Sequence, residues 1–482
     1  MLNHRCRTPF RALLRRFARS EKGMTLPMVA VSFMAMTGFV GTAVDLGRIQ
    51  LVQSRLSFAL DAAGLAAGAT LNTSSPNSEV TKYVLANFPT NYLGSSTPTT
   101  SVTLAADNTV LVLGASTSVP TTFMNVFGVS QVTVTATSQV TRTVNGLELV
   151  LVLDNTGSMA SSGKLTSLKN ASTSLVNILY GSRTTVPNLW IGMVPFSQAV
   201  NIGTGYTAWM DTAFNSTLNW GPTSWMGCVD ANERDGRDIT DDPPSVQKIR
   251  AYYSPSTDNR PAPNNSSSQL SFNKWVRTRD AAGNPLTYGT GLGSSFGPNA
   301  YCPQKVLPMT SNKTSILGAI TSMQATGNTH ISLGLGWGWR MLSPRWRTLW
   351  GGEMNENNLP LDYGTPHMNK AVILLTDGEN TMDNQNYTAF GYLSDGRIGS
   401  TSSSTAVSKL NNKVTSLCTS LKANGVYVYT ISLGSGTTTT VKNLLKNCAS
   451  APNYYFNSPS SAELQAIFNA IGDSLSNLRV SK

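Results

Sequence analysis

The stretch LELVLVLDNTGSMASSGK, from Leu147 to Lys164, ends an apolar run on one acid, Asp154, and follows it with Thr156 and Ser158 at alternate positions. Three oxygen-bearing side chains spaced this way along one turn can converge above the end of a strand. An oxygen-only donor set suits a hard divalent cation, with Mg²⁺ first and Mn²⁺ or Ca²⁺ as alternatives, and does not suit zinc or copper. Three ligands are too few for such an ion. Two more donors stand at comparable places: Asp377 closes the apolar run of AVILLTDGEN, and Thr329 in QATGNTHISLGLG precedes a helical pattern that starts near His330. Two carboxylates would balance the charge of a divalent ion, and with three hydroxyls they would leave a coordination position open to an acidic side chain of a partner. The plainer reading of Asp154 and Thr156 is a strand-to-helix turn or a helix cap, a common use of both residue types.

These donors need a scaffold that brings distant loops to one place. From Gly146 onward, continuous Val/Ile/Leu runs (LELVLVLD, NLWIGMVPFS, NKAVILLTDG, VYVYTISLG) alternate with helical patterns such as KLTSLKNASTSLVNILYG and STAVSKLNNKVTSLCTSLKANG. Continuous runs mark strands buried on both faces, and intervening helices mark crossovers of a mostly parallel sheet. The expected fold class is α/β: a doubly wound, Rossmann-like sheet that gathers binding groups at the carboxyl ends of its strands. An Asn/Ser/Pro/Gly-rich insertion with four tryptophans interrupts the pattern over residues 201–308. That length without periodicity implies an ordered elaboration of the rim or a lid. Two smaller insertions flank the run at Ala371.

The formal net charge is +11, but seven cations (Arg5, Arg7, Arg11, Arg15, Arg16, Arg19 and Lys22) face only Glu21 in the first 22 residues. The rest of the chain is nearly balanced and carries no basic stripe interleaved with aromatics, so nucleic acid is not an expected partner. Residues 24–44, MTLPMVAVSFMAMTGFVGTAV, hold no charge. As a helix they span about 30 Å, the thickness of a bilayer's hydrocarbon core. The cationic tail places the N-terminus in the cytoplasm and sends the bulk of the chain across the membrane. A retained anchor is expected over a cleaved signal, because the helical pattern runs on without a break. Cys228, Cys302, Cys418 and Cys448 all lie beyond the span, an even number that fits two disulfides in an oxidising compartment. Proximity favours Cys228–Cys302 and Cys418–Cys448 among the three possible connectivities. No CxxC accompanies the three histidines, which argues against zinc.

Enzyme readings find little. A P-loop fails because Ser158 stands where its first glycine belongs and Leu165 follows Lys164. A phosphatase of the haloacid-dehalogenase type lacks its second acid, since position 156 is threonine. GSSFG around Ser295 has the spacing of a nucleophile elbow, yet it lies in the glycine-rich insertion without a strand before it. His330 and His367 have no acid or nucleophile at recognisable spacing. No enzymatic activity is expected.

The three loops resemble the metal-ion-dependent adhesion site of the von Willebrand factor type A domain: an Asp-x-Ser-x-Ser loop, a threonine on a second loop, and an aspartate in Thr-Asp-Gly. The resemblance assigns Asp154, Thr156 and Ser158 to the first loop, Thr329 to the second and Asp377 to the third, with Thr156 in place of a serine. A second resemblance covers residues 21–69. EKGMTLPMVAVSF, the Val44–Asp45 pair and the DAAGLAAGA that begins at Asp61 look like the N-terminal segment of TadE/TadG-type proteins of tight-adherence (Tad/Flp) pilus assembly. TadG-like members join that anchor to a type A domain. The opening KGMTL is also similar to prepilin segments, from which Pro27 and Met28 depart. The small residues of LDAAGLAAGA could pack within the chain or bring helices together in the membrane.

The expected organisation is a basic tail (1–22), a membrane helix and its continuation (23–71), a small α/β spacer (72–145), in which VPTTFMNVFGV reads as a short helix, and a type A-like domain (146–482). The resemblances imply a single-pass protein of the bacterial inner membrane, cytoplasmic at its N-terminus. It would be an adhesion or pilus-assembly component binding an acidic protein partner, another assembly component or a surface ligand, through a divalent cation. The competing readings are a structural envelope scaffold with a vestigial site and a metal-dependent phosphoryl-transfer enzyme built on Asp154.

Overall fold

The computed structural model describes residues 25–68, 76–104, 110–141, 145–257 and 273–479. The basic tail, Cys6 and Met24 lie outside the described residues. The chain divides into two compact units, Met1–Arg142 and Thr143–Lys482.

In the first unit, helix α1 (Thr25–Gly68) runs unbroken through the apolar stretch and its continuation. It is long and apolar enough to cross a membrane. Its two halves have different surroundings. Leu26, Phe33, Met34 and Phe39 are exposed, whereas Val52, Leu56, Ala59, Leu60, Ala63 and Ala67 recur at three- and four-residue spacing and are buried. They share a core with Val80, Val84 and Phe88 of helix α2 (Pro76–Asn87) and with Leu111, Leu113, Val134 and Ala136. The last four come from an antiparallel sheet of β1 (Thr99–Leu104), β2 (Val110–Pro120) and β3 (Gln131–Thr141), paired in sequence order. The small residues of the DAAGLAAGA segment therefore pack on their own unit's sheet. A Cβ on Gly64 would collide with Val140 and Leu113. The expected helix in VPTTFMNVFGV is only a 3-10 turn, Met124–Phe127, too short for an α-helix because Gly128 leaves it at positive φ.

The second unit is built on a six-stranded sheet. Strands β4 (Gly146–Asp154) and β5 (Leu189–Phe196) are buried throughout. Two small ribbons within the insertion, β6 (Val200–Asn201) with β7 (Cys228–Val229) and β8 (Val276–Arg279) with β9 (Pro285–Tyr288), precede β10 (Leu307–Thr310). β11 (Met368–Thr376), β12 (Tyr427–Leu433) and β13 (Tyr455–Ser458) complete the sheet in the spatial order β10-β5-β4-β11-β12-β13. All pairings are parallel except β10 with β5. The chain therefore winds outward from β4 in one direction and then outward from β11 in the other. The switch point between two such halves is where α/β sheets place their sites.

Side chains alternate along β4 between two cores. Leu147, Leu149, Leu151 and Leu153 face helices α3 (Lys164–Tyr180), α4 (Lys313–Thr321) and α8 (Ser461–Arg479). Val150 and Val152 face α5 (Ile331–Leu342), α6 (Ser403–Ala423) and α7 (Thr439–Cys448). Helix α5 lies close on the sheet because a Cβ on Gly334 would enter the Phe196 ring and one on Gly338 would meet Val152. The described part of the insertion packs on the rest of the unit through aromatic rings. Trp209 meets Trp346 and Trp350 edge-to-face, and those two rings are tilted against each other, which joins the insertion to the segment after α5. Disulfides join Cys228 to Cys302 and Cys418 to Cys448. The antiparallel edge strand β10 was not apparent in the sequence, because LPMT is too short and holds a proline.

Candidate metal centre

Asp154 ends β4 and Asp377 follows the last residue of β11, the two neighbouring strands at the switch point. The Asp154 carboxylate is completely buried and fully engaged. Oδ1 accepts from the Thr156 backbone N–H at 2.8 Å and hydroxyl at 2.6 Å, and Oδ2 accepts from the Thr376 hydroxyl at 2.6 Å. The Thr156 and Ser158 hydroxyls are 2.9 Å apart, and Ser158 donates to Asp377 Oδ1 at 2.6 Å. Asp377 Oδ2 takes the Lys164 ammonium at 2.7 Å. One chain of contacts thus runs from Asp154 through two hydroxyls to Asp377.

Thr329 comes to the same end of the sheet on the loop before α5. Its hydroxyl oxygen lies 4.0 Å from where a Cβ on Gly378 would stand. The loop is tied at several points: Thr381 N–H donates to the Thr329 carbonyl at 3.0 Å, Gly157 N–H to the Gly327 carbonyl at 2.8 Å, and Asn328 N–H to Gln198 Oε1 at 2.8 Å. The five expected donors therefore share one strand-end region, four of them in an unbroken run of polar contacts and Thr329 beside them.

Electrostatics follow from this placement. Burial, and after it the charge of Asp377, push Asp154 up to about 6, against the pull of the Thr156 and Thr376 hydrogen bonds. Two carboxylates held together in a water-poor place call for positive charge. Lys164 supplies one unit of it. The donor set fits a hard divalent cation: every group is oxygen, two are anionic and the rest are hydroxyls. Among the described residues no group of three or more His, Cys, Asp or Glu side chains is placed to hold a metal ion, so a site here would depend on its hydroxyls. Sequence reading missed two neighbours. Thr376 is the residue before Asp377 in LLTDG, and Lys164 closes the opening stretch, so both were visible but carried no signal of contact. Ser295 lies among bends and turns.

Residues 23–70 match the family model for Flp pilus-assembly TadE/G-like proteins. The match covers the apolar half of α1 and its packed continuation. Among solved structures, the vWF domain of the type V pili tip protein Mfa5 from Porphyromonas gingivalis is similar at 11% identity, covering 70% of this chain and 97% of that one, with a TM-score of 0.36. The pilus adhesin SpaC from Lactobacillus rhamnosus GG is similar at 12% identity over 79% of this chain and 34% of that one, with a TM-score of 0.34. A von Willebrand factor type A protein from Catenulispora acidiphila is similar at 10% identity over 78% and 49%, with a TM-score of 0.29. The chain spans half or less of the last two. No curated protein matches it. At these identities the α/β reading rests on the chain's own strand order and crossovers.

Proposed function

We propose that this chain is a non-enzymatic, membrane-anchored component of tight-adherence pilus assembly or adhesion, whose second unit binds an acidic protein partner through a divalent cation. The TadE/G match over the anchor supports the pilus context. The observation that carries the binding reading is the continuous contact of Asp154, Thr156, Ser158 and Asp377 across the switch point. Asp154, Thr156, Ser158, Thr329 and Asp377 would hold the ion, Mg²⁺ before Mn²⁺ or Ca²⁺. When bound there, a divalent cation would supply an open position for a partner's carboxylate. Thr376 holds Asp154 in place, the Gly157–Gly327 contact holds the Thr329 loop against the first loop, and Gln198, just after β5, ties the same loop at Asn328. The anchor would sit in a bacterial inner membrane with the bulk of the chain beyond the cytoplasm.

The test is Mg²⁺ and Mn²⁺ titration by calorimetry on the full chain in detergent, beside the Asp154→Ala/Asp377→Ala double variant. Saturable binding by the unmutated chain alone supports the reading. Equal heats from both overturn it.

One observation favours a second reading, a structural scaffold with a vestigial site. Lys164 already gives Asp377 a cation at 2.7 Å, and a site content with its own lysine has no need of a metal. Under that reading Lys164→Met would lower stability and leave the chain indifferent to Mg²⁺.

A further inference from the structure

The segment between β2 and β3 in the first unit has an unusual surface. From Phe123 to Val129 it reads FMNVFGV, with no charge and Asn125 as its one polar side chain. Val126 is 82% exposed and Phe127 69%. A soluble loop of this length ordinarily carries polar residues at its tip, so a run of exposed apolar side chains marks a contact surface.

The loop is held along α1. Asp45, which is buried, accepts backbone N–H groups from Thr122 at 3.1 Å, Phe123 at 2.7 Å and Met124 at 2.8 Å. Arg48 pairs with Asp45 at 3.7 Å and donates to the Thr122 hydroxyl at 3.1 Å. From that clamp the loop runs back toward the N-terminal end of the helix. The Phe123 ring fills the space a Cβ on Gly41 would take, and the Phe127 ring lies 3.3 Å from where a Cβ on Gly38 would stand. The two glycines thus make the notch that lets the loop lie flat on the helix.

Depth follows from helix geometry. Gly38 is seven residues before Asp45, so at 1.5 Å per residue Phe127 sits about 10 Å along the axis from the clamp, beside the apolar stretch. That stretch is lined by exposed Met34, Met36, Phe39 and Val40. The apolar face of the loop is therefore continuous with that of the span.

We propose that the Phe123–Val129 loop is a second membrane contact, inserted into the acyl and headgroup boundary beside α1, and that Asp45 and Arg48 mark the water-side limit of insertion. An apolar wedge of this kind adds buried area to the anchor and fixes the helix's depth and rotation, as interfacial segments do. The partner is lipid, because the loop continues a lipid-facing surface and carries no charge with which to select a protein. The proposal rests on the reading of residues 24–44 as a span.

The test uses the full chain with Cys6→Ser, reconstituted in phosphatidylethanolamine/phosphatidylglycerol vesicles and spin-labelled singly at Val126→Cys, at Phe39→Cys within the span, or at Thr135→Cys on the exposed face of β3. The expected result is a ratio of oxygen to nickel-chelate accessibility at position 126 at least about threefold above that at 135 and close to that at 39. A water-like ratio at 126 with a lipid-like ratio at 39 overturns the loop proposal and leaves the anchor standing. A water-like ratio at 39 removes the anchor reading and the loop proposal with it. Dipolar broadening at 126 that vanishes on dilution with unlabelled chain would show a second copy covering the loop, and overturns the proposal too. Val126 is exposed, so labelling it does not disturb the core.

Discussion

Lys164 Nζ lies 2.7 Å from Asp377 Oδ2 while Ser158 holds the other oxygen of the same carboxylate. The third-loop acid is therefore shared between a tethered cation and the hydroxyl chain that leads to Asp154. An ammonium at this distance opposes the approach of a second cation and must give up Asp377 for the carboxylate to serve as a ligand. Lys164→Met should raise affinity for Mg²⁺ by about tenfold or more, equivalent to about 1.4 kcal/mol. Calorimetry on the full chain and the variant measures this, and unchanged or weaker binding sinks the competition argument.

His330 gives a pH signature. It is buried at the start of α5, stacks on Phe390 at 5.7 Å, and neither ring nitrogen has a hydrogen-bond partner among the described residues. Burial lowers it from 6.5 to about 4, against the opposing charge of Asp383. With the folded value below the unfolded one, the unfolded chain binds the extra proton. Stability is then fully present above about pH 6.5 and is lost as pH falls toward 4. The full effect is about 3 kcal/mol. Urea unfolding of the chain and of His330→Phe at pH 7 and pH 4 should show the difference between them shrinking by that amount at the lower pH.

Within the sheet, Glu148 on β4 stands in register with Lys370 on β11, both buried, and their side chains form an ion pair. Glu148 also accepts from Leu361 N–H at 2.8 Å, and Lys370 donates to the Leu342 carbonyl at 3.1 Å. Burial pushes Glu148 up and Lys370 down, which is the cost that their mutual attraction offsets. Lys370→Met alone leaves a buried carboxylate and should cost about 3–5 kcal/mol. Lys370→Met with Glu148→Leu should recover most of that loss in the same denaturation experiment. A double variant as unstable as the single one would show that the other contacts, and not the pair, matter.

The Cys228–Cys302 bridge closes a stretch of 74 residues within the insertion. Restricting an unfolded loop of that length contributes about 4 kcal/mol in the chain-entropy account. Cys228→Ala/Cys302→Ala should lower the melting temperature measurably and make the insertion the first region cleaved in limited proteolysis. Cleavage elsewhere first would show that the tryptophan cluster, and not the bridge, keeps it ordered.

Much of the second unit was legible in the sequence because burial on both faces writes itself as continuous Val/Ile/Leu runs, and β4, β5 and β11 stand where those runs are. Both cysteine pairs follow proximity. The places of Asp154, Thr156, Ser158 and Asp377 were readable because an acid or hydroxyl just beyond such a run must lie at a strand's carboxyl end, and that of Thr329 because it stands just before a helical pattern. The short edge strand β10 and the paired insertion ribbons left no trace, since two to four residues cannot establish a period.

The sequence by itself determined the alternation of strands and helices, the apolar length of α1 and the oxygen chemistry of the strand-end loops, because these depend on residue type and local spacing. Tertiary structure alone decided the rest. Lys164 meets Asp377 across 213 positions, Thr376 anchors Asp154 across 222, and the Phe123–Val129 loop lies along α1 with Asp45 as its clamp. Such contacts join side chains whose partners are set by strand order and helix packing, and no local pattern of residues records them.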